Sequence, residues 1–226
     1  MFERRNLMGL LMMMATISGL SLAFILLVFA LWKKMDWLRN FVLGAVVVWF
    51  VVYAVALFAV SLTSREEILG LNQPKEFCGF YIDCHLHTAV TDVRRTKTLG
   101  DKAANGEFYI VRVKVFSDAR RATLGLLTVD AKVFDVQNRE FQRDAEAEAK
   151  LGEQPLFDRR IAPTESFEKK IVFDLPTDVT NPRLDIKEGY GIDHAIEAVL
   201  IGDEDSVWHA RNYFKLEQQT QTVSVR

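Results

Sequence analysis

The densest concentration of reactive side chains lies in the stretch EFCGFYIDCHLHT, which holds Cys78, Asp83, Cys84, His85 and His87. It contains both cysteines of the chain and two of its four histidines. Thiols and imidazoles this close together support several chemistries. The first is a Cys78–Cys84 disulfide. In a straight strand rising about 3.3 Å per residue the two would lie about 20 Å apart, whereas a bridge needs Cα atoms within about 7 Å. The chain must therefore reverse near Cys78–Phe80, which Gly79 permits. Such pairing is usual outside the cytoplasm. The alternative is a zinc or copper site built from Cys78, Cys84, His85 and His87. On an extended strand His85 and His87 share one face and Cys84 the other, so a single metal would need a bend or bulge. Unpaired, buried thiols are a third outcome.

Two more specialised chemistries fit less well. Asp-x-His-x-His after an apolar run resembles the first metal-binding strand of amidohydrolase-type enzymes. Those need a barrel of about 250 residues, and only His194 and His209 follow among the histidines. Covalent haem attachment wants Cys-x-x-Cys-His, and here the cysteines are too far apart. His194 and His209 read as surface or edge histidines, and Trp208, Tyr213 and Phe214 as core aromatics of a final strand. GDEDS (202–206) concentrates three carboxylates without full calcium-loop spacing and reads as a solvated turn. No phosphate-cradling glycine loop or G-x-S-x-G elbow is present, so no catalytic residues and no cofactor are expected.

The elements that must position this cluster divide the 226 residues sharply. All six Met precede residue 36, while every His, Cys and Pro follows residue 71. Five of the 28 basic and two of the 30 acidic residues precede residue 65, leaving 23 against 28 in the remainder. That mild acidity argues against a nucleic-acid partner, which requires a basic stripe. Residues 6–32 and 40–64 are uncharged, and neither run contains Pro. Crossing hydrocarbon takes about 20 apolar residues as a helix. Both runs pass, so spans are expected over about 7–32 and 41–62, forming an antiparallel hairpin with the bilayer as partner. Trp32, Lys33, Lys34, Trp37 and Arg39 then form an interfacial anchor, rings and cations lying at headgroup level. Cleavage of residues 1–30 as a signal peptide is not expected: the apolar run is too long and no A-x-A-like site precedes Lys33. Charge bias does not orient the hairpin, with three cations in the connector against four in the flanks. Gly19 and Ala23, four apart, would permit close helix approach.

Beyond a polar linker over 65–75 the period changes to two. In GEFYIVRVKVF, Tyr109, Val111, Val113 and Val115 alternate with Ile110, Arg112 and Lys114, the mark of a half-buried strand. LLTVDAKVFDVQNREFQR reads as a strand, a turn at Gln137–Asn138 and a return through Phe141. FEKKIVFDLP is a strand stopped by Pro176. PRLDIKEG, AIEAVLIG and SVWHARNYFKL are expected as further strands, DAEAEAKL (Asp144–Leu151) as a helical turn or acidic loop, and 217–226 as a polar tail. About seven short strands at this spacing predict a β-sandwich over 76–216.

The GEFYIVRVKVF strand, the VFDVQNREF hairpin and the ESFEKKIVFDLP strand resemble a bacterial immunoglobulin-like domain of unknown function found behind lipid or membrane anchors. The likeness runs over roughly residues 85–190, with Asn138 where that family favours Gly. It implies a sandwich fold and an extracytoplasmic position, and no catalytic residues. The expectation is thus an integral membrane protein with two spans and a periplasmic or otherwise extracytoplasmic immunoglobulin-like sandwich. Its expected role is that of a non-catalytic accessory or scaffold subunit docking other membrane or extracytoplasmic proteins. A metal or redox role for the Cys–His cluster is the alternative.

Overall fold

The computed structural model describes residues 3–79 and 83–217. Residues up to Arg65 together with Gly191–Arg211 form one compact unit, and Glu66–Tyr190 with the chain from Asn212 onward form a second.

In the first unit the charge-free runs form α1 (Glu3–Trp32) and α2 (Asp36–Thr63). At 1.5 Å per residue each exceeds about 40 Å, more than the roughly 30 Å of bilayer hydrocarbon. The helices are apolar enough as well as long enough to cross a membrane, and few of their described side chains are buried. A three-residue turn joins them, closed by Lys33 N–H to Phe29 O (2.9 Å) and Met35 N–H to Ala30 O (2.8 Å). Lys34 adopts φ 55° in this turn. Trp49 donates its indole N–H to Thr16 Oγ1 at 3.0 Å, and Thr16 in turn donates to Met12 O. A polar group that would be costly on an apolar helix is thereby satisfied between the pair.

The remaining segment of this unit contains α4 (Gly191–Glu197) followed by turns. AIEAVLIG is therefore not the expected strand. Ile192, Ala195, Ile196, Val199 and Leu200 recur at helical spacing, which prevails over the Val-Leu-Ile ending. Of SVWHARNYFKL, only Asn212–Lys215 is extended. Trp208 takes φ 61°, a backbone conformation that ends a strand, and its ring lies 4.5 Å from that of Phe58.

The second unit is a β-sandwich. One sheet has the order β1 (Glu67–Leu69), β9 (Asn212–Lys215), β8 (Arg183–Glu188), β5 (Val129–Phe134), β6 (Glu140–Phe141). The other runs β2 (Lys75–Gly79), β3 (Asp83–Leu99), β4 (Lys102–Ser117), β7 (Ser166–Leu175). All described pairings are antiparallel except β1 with β9, which places Ile68 beside Tyr213. The linker expected over 65–75 thus contributes a strand, and Leu69 enters the core.

Alternation on β4 is as the sequence predicts, with Tyr109, Val111, Val113 and Val115 buried. They meet Phe167, Ile171 and Phe173 of β7 and Ala131, Val133, Leu184, Ile186 and Phe214 of the facing sheet. Each such aliphatic or aromatic side chain contributes about 1.5–3 kcal/mol on burial. Gly106 lets β4 approach β7: a Cβ there would meet Leu175 O at 2.0 Å.

Asp144–Leu151 takes the helical form, α3 (Ala145–Ala149), capped by Asp144 accepting from Ala147 N–H. Ala147 packs on Phe108 and Val172, on the side of the sheet away from the main core. Nearby side chains also occupy the outer edge of β7, since Glu148 accepts from Val172 N–H and Gln154 from Lys170 N–H. This blocks strand addition at that edge. The polar tail expected over 217–226 lies, beyond Glu217, outside the described residues.

Candidate functional site

The Cys–His cluster sits on the β2–β3 hairpin. The register pairs Glu76 with His87 and Phe77 with Leu86, then shifts, so that Gly79 opposes Asp83. This brings Cys78 and Cys84 together as a disulfide with Cα atoms 3.9 Å apart. Residues 80–82 of the cluster lie outside the described residues.

The two histidines share one strand face, as alternation requires, and both reach Asp118 just beyond β4. His85 Nδ1 lies 2.8 Å and His87 Nε2 3.3 Å from Asp118 Oδ1. A backbone bond from Asp118 N–H to His85 O (3.2 Å) holds the carboxylate in place. His85 is exposed, whereas His87 is buried and stacked on Phe116, its register partner, at 5.0 Å between ring centres. Among the described residues His87 Nδ1 has no hydrogen-bond partner. The hydrogen bond from His85, assisted by His87, holds the Asp118 carboxyl below the usual range, against a smaller opposing effect of burial.

Chemically, this is an ionised carboxylate engaged by two imidazoles beside an oxidised sulfur pair. The metal alternative finds no support: both sulfurs are bonded to each other, and among the described residues no group of three His, Cys, Asp or Glu is arranged to hold a metal ion. Asp118 is the member of this cluster that sequence reasoning missed. It lies 33 residues from His85, and only the β3–β4 register brings it near.

A second polar feature ties the two sheets. Lys75 and Asp185, both buried, approach to 3.4 Å, with the ammonium 5.8 Å from the Phe77 ring centre. It too escaped the sequence reading, since 110 residues separate the partners.

The interfacial residues, His194, His209 and GDEDS belong to the first unit. Trp32 and Trp37 are strongly exposed at the α1–α2 turn, with Lys33 5.0 Å from the Trp32 ring centre and Arg39 paired to Asp36 at 2.9 Å. Lys34 forms the turn between them. His194 lies 3.1 Å from Glu197 on α4, and His209 Nδ1 lies 2.8 Å from Ala210 O. GDEDS is not a freely solvated turn. Asp203 accepts from Asp205 N–H at 2.9 Å, and burial, aided by Glu197, Asp205 and Glu204, pushes its carboxyl up to about 7.

A β-sandwich with a disulfide-tied hairpin, in a chain that begins with two long apolar helices, defines the class of protein. The chain belongs to the family described as domain of unknown function DUF4352, whose model matches residues 82–196. Among solved structures it is similar to the yjhA protein of Bacillus subtilis, at 11% identity and TM-score 0.43, over 66% of this chain and 100% of that one. It is also similar to MPT63, a secreted protein of Mycobacterium tuberculosis, at 10% identity and TM-score 0.40, over 69% and 99%. An uncharacterised β-sandwich protein of Clostridium difficile matches at 9% identity and TM-score 0.34, over 69% and 98%. No curated protein matches the chain.

Proposed function

We propose that this is an integral membrane protein whose helical hairpin holds an immunoglobulin-like sandwich on the extracytoplasmic side, where it serves as a non-catalytic accessory or scaffold subunit. The observation that carries the reading is the pair of long apolar helices with few of their side chains buried and many large apolar ones exposed. In water such a surface would associate or aggregate, whereas in hydrocarbon it is solvated. The Cys78–Cys84 bridge supports the extracytoplasmic side, because such bonds persist in oxidising compartments. The interaction role is supported by a chemistry-bearing cluster whose parts are already engaged with each other: the sulfurs are oxidised and the Asp118 carboxylate accepts from two rings. A second span exceeds what anchoring alone requires, which favours lateral packing against a partner's helices.

Membrane extraction and protease protection test the placement. The chain is expected to stay with membranes through an alkaline carbonate wash, and its second unit to be digested by protease added from outside. Recovery in the aqueous fraction, or digestion only after the inner side is opened, would overturn it. The subunit role predicts a mild-detergent particle larger than one chain with its detergent belt; a monomer would end that part of the reading.

A further inference from the structure

From Gly191, the start of α4, to Arg211, just before β9, the chain belongs to the unit of the helical hairpin. Its contacts with the helices are specific. Gly9 of α1 meets the backbone of Ile201 directly, a Cβ there falling 2.1 Å from Ile201 O. From α2, Tyr53 donates its hydroxyl to Val199 O at 2.7 Å, the Phe58 and Trp208 ring centres lie 4.5 Å apart, and the Ser61 and Ser206 hydroxyls lie 3.4 Å apart. Just beyond α2, Ser64 Oγ accepts from Ala210 N–H at 2.7 Å. The outer side of the same segment is apolar where a water-facing loop would be polar: Ile192 is 71%, Val199 48% and Trp208 67% exposed.

The depth of these contacts follows from helix geometry. Tyr53 lies ten residues before Thr63, the end of α2, and Phe58 five. At 1.5 Å per residue those positions are about 15 Å and about 7 Å from the helix end. A helix of this length centred on about 30 Å of hydrocarbon leaves about 6 Å outside at each end. Trp208 then falls at the lipid–water boundary, and Val199 about 9 Å inside it, within the 5–10 Å to which interfacial segments sink. A backbone carbonyl at that depth needs a donor, and the Tyr53 hydroxyl supplies one to Val199.

Resting on the membrane reading above, we propose that residues 191–209 form an interfacial element that lies in the headgroup layer beside the hairpin, with a zwitterionic lipid surface as its partner. The lipid surface is chosen over a protein because the exposed Ile192, Val199 and Trp208 belong to a segment packed on two helices that are themselves apolar and little buried. Zwitterionic lipid is chosen because the segment carries Asp193, Glu197, Asp203, Glu204 and Asp205, which an anionic surface would repel. Burial also raises both the Glu197 and Asp203 carboxyls, the latter to about 7, which reduces the charge that Asp203 places near the lipid.

Quenching by brominated lipid tests this on the full chain in phosphatidylcholine vesicles, with bromine either near the headgroup or near the acyl end. One variant keeps only Trp208 (Trp32→Phe, Trp37→Phe, Trp49→Phe), and a second keeps only Trp49 (Trp32→Phe, Trp37→Phe, Trp208→Phe). Trp49, mid-way along α2, is expected to be quenched more by the deep bromines, and Trp208 about twofold more by the shallow ones. Adding Gly9→Leu to the Trp208 variant is expected to cut its shallow quenching about twofold, by unseating the segment. If Trp49 is quenched and Trp208 responds only to aqueous acrylamide, the interfacial element is refuted with the hairpin intact. Trp208 shielded from both acrylamide and bromine would mean a second copy covers it, and stronger deep than shallow quenching would mean it is embedded; either refutes the proposal. A Trp49 untouched by lipid bromine would instead overturn the membrane reading beneath it.

Discussion

Asn138, the departure from the glycine favoured by the resembling family, sits at φ 57° in the β5–β6 turn. Glycine reaches that left-handed region freely and asparagine at small cost, whereas other side chains lose about 1–2 kcal/mol there. Asn138→Gly is therefore expected to leave the melting temperature within a degree or two of the parent, while Asn138→Val should cost about 1–2 kcal/mol in denaturant unfolding. The buried Lys75–Asp185 pair makes a different demand. Removing the ammonium by Lys75→Met takes from the buried Asp185 carboxylate a cation 3.4 Å away, an expected destabilisation of up to about 3–5 kcal/mol. Replacing both, as Lys75→Met with Asp185→Leu, should recover most of that loss, because two desolvated charges are exchanged for apolar contact. A double-mutant cycle measured by denaturant unfolding checks the sign and size of the coupling.

At the scale of elements, the β2–β3 hairpin owes its ends to one covalent tie. The Cys78–Cys84 bridge closes a loop of sequence separation six. Closure entropy for so short a loop is worth about 2 kcal/mol. Cys78→Ser with Cys84→Ser should lower the unfolding free energy of the sandwich by about that amount, and reductant should affect the parent but not the variant. The hairpin also shows what could be read in advance. The strands β4, β7 and β8 were legible because alternation is a local signal, and α1 and α2 because long uncharged runs admit few other structures. The Gln137–Asn138 turn was legible from its residue types. Asp118 was not, because the β3–β4 register brings it to the histidines, and Asp185 was not, because the packing of the two sheets brings it to Lys75. The segment after Gly191 misled for a physical reason: a short apolar run fits strand or helix, and the surface that decides between them belongs to α1 and α2. Close approach to α1 within this chain occurs at Gly9 against Ile201.

For the whole molecule, acidity is expected to act on the packing of residues 191–211 against the helices. The Asp203 carboxyl is held up to about 7 in the fold, against an ordinary value near 3.8, chiefly by burial, with Glu197, Asp205 and Glu204 adding repulsion. His194 stands beside Glu197 and Arg211 beside Asp205. The folded state thus binds a proton that the released segment would give up, so the packing weakens as pH rises from about 4 to about 7 and levels off above that. Hydrogen exchange of the 198–207 amides, corrected for intrinsic rate, should show protection falling over that window, and Asp203→Asn should flatten the profile. The parallel pairing of β1 with β9 carries a consequence for biosynthesis. Glu67–Leu69 is made well before Asn212–Lys215, its only described neighbour in the sheet. Until the ribosome has delivered β9, the nascent domain has a gap where Phe214 and Leu216 belong and an unzipped margin open to chaperones and proteases. A message truncated ahead of codon 212 would therefore yield a chain that quality control can tell from one carrying β9.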